Sequence, residues 1–239
     1  MPAYDAPLVR RLNSFFELTE DEAHLLASLP MTVKTLAADQ DITRQGDSPT
    51  QSCLVLEGVV ALYKITGPGR RQITSFYIPG DIPDLHNLHL NVLDSSLTTL
   101  TQCKVGFIQH DALRALFQEN ARIADALWRM TLIDAAVFRE WIANIGQRDA
   151  STRLAHLICE MFLRFKAVGM TESDACDWPI TQQELGDATG ISVVHVNRML
   201  QELRGDGLIS LAHRKLKVAN WPRLAKVGDF DPTYLHLNS

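Results

Sequence analysis

The 239-residue chain has no run of about 18 apolar residues, so it lacks the signature of a transmembrane helix. Its opening stretch, MPAYDAPLVRRLNSFF, has no apolar core of the secretory kind. The cytoplasm is the expected compartment and no membrane partner is expected. Cysteines are few, at positions 53, 103, 159 and 176, and none forms a C-x-x-C pair. That spacing gives no disulfide framework and no zinc-type ligand pair. No nucleophile motif, glycine-rich phosphate loop, H-E-x-x-H or framed pair of catalytic carboxylates occurs, so the residues specify no enzyme and no cofactor. Arginine is absent between Arg71 and Arg114.

What remains is a globular composition, 46% hydrophobic and 21% charged with a net charge of −5, enough for one large or two modest domains. Residues 5–29 read as short helices, the second opened by Thr19 ahead of acidic Glu20, Asp21 and Glu22. From Met31 to about Ile108, short β-rich runs alternate with turn signals at Gly46-Asp47, Glu57-Gly58, Gly67-Pro68-Gly69 and Pro79-Gly80-Asp81. Such regular spacing predicts a β-sandwich or barrel.

A helical period returns over Asp111–Asn144. Ile123, Leu127, Met130, Val137 and Trp141 form a heptad-like seam whose missing step falls on Asp134, and Trp128, Leu132, Ala135 and Ile142 form a second stripe. A helix apolar on two faces must bury both. One face can pack on the β-domain, and the other calls for the same helix of a second subunit, with the seam taken as the dimer contact. The alternative is a helix buried within one subunit. Ile145–Asp149 breaks the pattern and is the expected hinge. Ala150–Ala167 reads as an amphipathic helix, Val168–Asp177 as a polar loop and Trp178-Pro179-Ile180 as a short strand.

The most informative stretch is Thr181–Arg204. Thr181 and Glu184 form an S/T-x-x-E capping box, Gly190 suits a left-handed turn, and Ser192 suits the N-cap of a second helix. Val196, Met199, Leu200 and Leu203 share one face of that helix; His195, Arg198, Gln201 and Glu202 lie off it. A strand from Gly207-Leu208-Ile209 and a return through Ala212–Val218 complete a winged helix-turn-helix, although a helical hairpin in some other core would share the local signals. Between Ser192 and Asn220 five Lys/Arg stand against two Asp/Glu, an excess of three in an acidic chain that favours contact with phosphate.

Thr181-Gln182-Gln183-Glu184-Leu185-Gly186, the Gly190-Ile191-Ser192 turn, V-x-R-M-L-x-x-L from Val196 and Gly207-Leu208-Ile209-Ser210 together resemble the DNA-binding domain of the Crp/Fnr family of bacterial transcription regulators. The rest of the chain agrees with that family over nearly its whole length. The resemblance implies an α+β protein: a jelly-roll-like β-roll with N-terminal helices over 1–110, a dimerisation helix and hinge over 111–146, a winged helix-turn-helix over 147–220, and a tail over 221–239. It implies double-stranded DNA, a second copy of the chain and RNA polymerase as partners. Arg198 is then the expected guanine reader, with Val193, Val194, His195 and Asn197 as further base-reading candidates. Thr181, Gln183, Ser192, His213, Arg214 and Lys215 are the phosphate candidates. Many family members carry Glu at the position of Val194 and some carry Arg at that of Val193. Valine can do the work of neither, and offers methyl groups to thymine instead.

The β-roll departs from the family at its ligand site. Members that bind cyclic nucleotides carry Gly-Glu after the P-G-D turn and Arg-Ser or Arg-Thr about ten residues on. Here the stretches read Asp81-Ile82-Pro83-Asp84-Leu85-His86-Asn87 and Leu93-Asp94-Ser95-Ser96-Leu97. Without the Arg, and with Asp84 and Asp94 in place, cyclic AMP and cyclic GMP are not the expected ligands. The N-terminal cysteines that hold an iron–sulfur cluster in oxygen-sensing members are also missing. Asp84, His86, His89 and Asp94 mark the candidate effector region, as metal or haem ligands or as ordinary loop residues. The effector itself stays open, and a β-roll that controls DNA affinity by binding a small molecule is the alternative to regulation through abundance.

Overall fold

In the computed structural model, which describes residues 3–238, two short helices, α1 (Pro7–Asn13) and α2 (Glu20–Ala27), precede the β-domain. Thr19 and Glu22 form a reciprocal capping box that starts α2. Seven strands follow: β1 (Thr32–Leu36), β2 (Asp41–Thr43), β3 (Gln51–Glu57), β4 (Val60–Ile65), β5 (Arg71–Tyr77), β6 (Ser96–Thr99) and β7 (Cys103–Gln109). They build two antiparallel sheets in the orders β1-β7-β3 and β2-β6-β4-β5. Cys53, Val55, Val60, Leu97, Val105 and Phe107 fill the space between them, so the expected β-roll is present.

The single helical period expected from Asp111 is broken. Helix α3 (His110–Glu119) ends at Asn120, whose side chain accepts from the Ile123 N–H and caps the long α4 (Ala121–Gln147). The hinge is also shorter than expected: α4 runs through Ile145, Arg148 closes it, and Asp149 caps α5 (Ala150–Ala167). Only these two residues separate the helices.

Burial reverses the assignment of the two stripes on α4. Ile123, Leu127, Met130, Val137 and Trp141 are each no more than 5% exposed and pack within their own chain, against α1, α2, the β-domain and α5. The seam taken as the dimer contact is therefore an intramolecular core. The other stripe is open, with Trp128 59%, Leu132 49% and Ile142 72% exposed. Asp134 is outside that core; it lies at the wall of a half-open cavity whose lining includes the exposed Ile142 and Leu90.

The polar segment after α5 is a β-hairpin, β8 (Thr171–Glu172) with β9 (Ala175–Asp177), and Trp178–Ile180 is not a strand. Helices α6 (Gln182–Thr189) and α7 (Val193–Gly205) come next, then the wing strands β10 (Ile209–Ala212) and β11 (Lys215–Val218). The third sheet has the order β10-β11-β9-β8, so the missed hairpin continues the wing. Helix α8 (Trp221–Val227) closes the domain. The tail packs Phe230, Tyr234 and Leu235 into the core, and the Asn238 amide donates to the Ser14 carbonyl at 2.7 Å.

A buried ion cluster ties these parts together. Asp81 accepts from Arg11 Nε at 2.6 Å and lies 3.2 Å from the Arg164 guanidinium, which also reaches Glu160. Burial alone would raise the Asp81 carboxyl, but the charges of Arg11 and Arg164 hold it below its usual range. Asp81 thus joins the N-terminal helix and the β-roll to α5.

Candidate nucleic-acid interface

Local sequence dictates the helix-turn-helix. The Thr181 amide donates to Glu184 Oε2 at 2.6 Å, and the Glu184 amide to Thr181 Oγ1 at 3.3 Å. This reciprocal pair satisfies two amides that α6 leaves free. Gly190 then adopts φ 71°, the left-handed conformation that ends the helix, and its N–H donates to the Gly186 carbonyl. The turn is so tight that a Cβ on Gly186 would meet the Ile191 carbonyl oxygen at 2.7 Å. Ser192 caps α7 by accepting from the His195 N–H. Leu185 and Ala188 of α6 pack with Val196, Met199, Leu200 and Leu203 of α7 in one core, which fixes the angle between the helices.

That packing decides what α7 presents outward. Val193, Val194, His195, Asn197 and Arg198 are all exposed, Val194 at 81%. The Arg198 guanidinium donates to His195 Nε2 at 2.6 Å and lies 3.9 Å from Glu202. As arginine has no acceptor, His195 accepts here as the neutral ring with its proton on Nδ1. Arg198 is therefore held upright on the open face of the helix, its remaining N–H donors free.

The phosphate candidates surround this face. Thr181 and Gln183 are exposed at the start of α6, and Ser192 at the start of α7. At the wing tip, His213 and Arg214 take φ values of 50° and 59°. Two consecutive left-handed residues make a tight hairpin turn of the type that matches strand twist, here without the usual glycine or asparagine. Arg214 is secured by its carbonyl, which accepts from the Trp178 N–H at 2.7 Å. Lys215 is exposed beside it, 3.9 Å from Asp177.

Sequence reasoning missed the residues that orient this unit on the β-roll. Arg71 of β5 pairs with Asp187 of α6 at 2.7 Å, and Gln72 Nε2 donates to the Ala188 carbonyl at 3.2 Å. Arg153 donates to the Thr189 carbonyl at the end of α6 and to the Ile145 and Arg148 carbonyls at the hinge. Trp141 Nε1 of α4 donates to Glu160 of α5 at 2.9 Å. Each pair joins separate elements, so no local pattern announces it.

A cavity of about 510 Å³ lies between the roll and α4. Leu62, Ile73, Tyr77, Ile82, Phe138 and Ile145 form much of its wall. Of the effector-region residues, His86 and Asp94 line it. Asp94 is engaged by Lys64 at 3.3 Å, and burial pushes the His86 imidazole below its usual range. Asp84 is elsewhere: it accepts from the Cys53 N–H at 2.8 Å in the interior, where burial pushes its carboxyl up to about 7. His89 lines an adjoining surface groove under Trp128, which His86 also borders. The four do not converge, and among the described residues no group of three His, Cys, Asp or Glu side chains could hold a metal.

Two family models match the chain: a cyclic nucleotide-binding domain over residues 33–120 and a Crp-like helix-turn-helix domain over 152–227. The transcriptional activator protein FnrL of Cereibacter sphaeroides is 26% identical over 202 residues, 82% of this chain and 80% of its own. The nitrogen fixation regulation protein FixK of Bradyrhizobium diazoefficiens is 26% identical over 185 residues, 75% of this chain and 72% of its own. The solved structure of FixK2 from Bradyrhizobium japonicum superposes with a TM-score of 0.75 at 23% identity, covering 83% of this chain and 98% of that one. The lining of the cavity beside α4 is poorly suited to a phosphate. No arginine lines it, its only lysine is engaged by Asp94, and Asp134 adds a carboxyl.

Proposed function

The chain belongs to the Crp/Fnr family of transcription regulators, and on that premise we propose that it acts as a homodimer that reads a two-fold symmetric DNA site through α7. The observation that carries this reading is the exposed face of α7. Its apolar stripe is fully used in the core, while Arg198 stands outward with donors free, flanked by exposed valines that no internal packing needs. Arg198 pairs with guanine O6 and N7. Val193 and Val194 place methyl groups against thymine, and His195 and Asn197 supply polar contacts. Thr181, Gln183, Ser192 and the wing residues His213, Arg214 and Lys215 hold phosphates and set the register.

The dimer forms through the open stripe of α4. Trp128, Leu132 and Ile142 lie along one face, with Leu90 57% and Val92 58% exposed on the roll. A helix with a solvated apolar face of this kind is stabilised by a second copy. Two α7 helices related by the dimer axis enter successive major grooves about 34 Å apart. The working compartment is the cytoplasm and RNA polymerase is the partner through which binding affects transcription; the molecule serves as a regulator, with no reaction of its own.

Sedimentation with and without labelled duplex DNA tests this. The wild type sediments as a dimer and binds as two chains per duplex. Leu132→Glu with Ile142→Glu gives a folded monomer with much weaker DNA binding. A wild-type monomer, or a charge-substituted variant that still dimerises, contradicts the reading.

A further inference from the structure

The cavity beside α4 has a chemistry opposite to that of a nucleotide site. Its walls are mainly hydrocarbon and aromatic, and at about 510 Å³ it falls within the size range of small-molecule sites, about 300–1,000 Å³. The polar groups at its edge are largely matched with one another: Lys64 pairs with Asp94, and Asp94 accepts from the Ser95 hydroxyl. Asp134 and the His86 imidazole are not matched in this way. Asp134 is the acidic one: it is half-buried at the cavity wall and, among the described residues, its carboxyl makes no hydrogen bond or ion pair. Arg11 and Arg164, the cations whose charges act on it, are already paired with Asp81 and Glu160. The buried cluster of two arginines and two carboxylates is neutral, so Asp134, when ionised, adds one negative charge that the cluster does not balance. A carboxylate facing an apolar cavity without a partner is destabilised unless a cation or donor meets it.

We propose that this cavity binds a largely apolar small molecule bearing one basic nitrogen, which pairs with Asp134, and that it excludes phosphate-bearing nucleotides. Two of its lining side chains also hold the DNA-binding domain. Gln72 donates to the Ala188 carbonyl of α6, and Trp141 donates to Glu160 of α5. An occupant that presses on either side chain shifts the seating of the helix-turn-helix on the roll. Coupling between the cavity and DNA then follows from a shared set of contacts. This second step rests on the DNA-binding reading; the ligand chemistry does not.

Calorimetric titration of the full chain at pH 8 with 4-phenylbutylamine, 4-phenylbutanol, 4-phenylbutyrate and cyclic AMP tests the ligand class. The amine binds at least about tenfold more tightly than the carboxylate, because one is attracted and the other repelled by the same carboxyl group. Asp134→Asn removes that preference, and cyclic AMP gives no heat. Thr131→Phe, which fills the cavity mouth and keeps the carboxyl, abolishes amine binding. Binding of the butyrate or cyclic AMP as tightly as the amine overturns the proposal, as does failure of all four probes or an amine preference that survives Asp134→Asn. A second titration follows labelled duplex DNA by anisotropy with and without the amine. The amine changes DNA affinity about fivefold or more. An unchanged affinity overturns the relay through Gln72 and Trp141. Absence of any DNA binding refutes the regulator reading and leaves the calorimetric result standing.

Discussion

Arg71 on the last strand before the P-G-D turn and Asp187 on the first helix of the helix-turn-helix meet at 2.7 Å, across 116 residues of sequence. The pair is partly shielded and is reinforced by Gln72, which reaches the next residue of the same helix. The DNA-binding unit is thus docked on the β-roll and does not swing freely from the two-residue hinge. A double-mutant cycle with Arg71→Ala and Asp187→Ala should give a coupling energy of about 1 kcal/mol, the upper range for pairs that are not fully buried. Hydrogen exchange should speed up at the hinge in both single variants. Additive effects with unchanged exchange would mean that the pair contributes nothing to docking.

Arg164 makes the deeper connection. Its guanidinium donates to the Phe76 carbonyl at 2.7 Å and faces both Asp81 and Glu160 in the interior. Arg164→Ala leaves two carboxylates facing each other without their common cation. We expect a loss of about 3–5 kcal/mol in urea unfolding, the usual cost of breaking a buried pair from one side. Restoring a cation with Arg164→Lys should recover part of it.

Asp134 and Asp84 should each contribute stability that falls as pH rises through the neutral range, opposed by histidines such as His86 whose imidazoles burial holds below their usual range. Burial, and next the charge of Asp81, push Asp134 up to about 7, against the opposing pull of Arg11 and Arg164; burial pushes Asp84 to a similar value. A folded pKa above the unfolded one means that the folded state binds the proton more tightly. The stabilisation is complete below pH 4 and is lost as pH rises through 7. Asp81 has the opposite sign: its depressed pKa contributes stability above the unfolded value near 4, lost only in acid. Asp134→Asn should therefore raise stability at pH 8 by a few kcal/mol at most and reduce the slope between pH 5 and 8. An unchanged slope would show that Asp134 is fully solvated.

Arg198 reads a base. Arg198→Ala should cost about 1–3 kcal/mol on the preferred site and flatten discrimination at one base pair of each half-site. Binding to a panel of single-base variants measures this. A uniform loss on all sequences would place Arg198 on phosphate. His195→Ala should give a smaller loss at the same base pair, because His195 holds the guanidinium through Nε2.

Much of the DNA-binding unit was legible because its determinants are local. The Thr181–Glu184 box, the left-handed Gly190 and the Ser192 cap each act within four residues, and each appears where the sequence places it. The stripes of α4 were legible as stripes. Which one meets the chain's own core was not, because periodicity records that a face is apolar and not what covers it. The break at Asn120 escaped notice because the apolar period continues across it. Strands β8 and β9 were missed for another reason: two and three residues are too short for alternation to show, and their pairing with the wing is set by tertiary context. The ligand region was half legible. The lack of arginine was legible, and no arginine lines the cavity, while Asp134, the carboxyl that faces the cavity, lies about 40 residues further on in a helix read for its packing.

Selection of bound duplexes from random-sequence DNA by the purified full chain tests the central claim most directly. The account predicts an inverted repeat with half-site centres one helical turn apart, a guanine in each half-site lost as a preference in Arg198→Ala, and thymines beside it opposite Val193 and Val194. Failure to enrich any sequence, or enrichment of a single unrepeated motif, would contradict a dimer that reads DNA through α7.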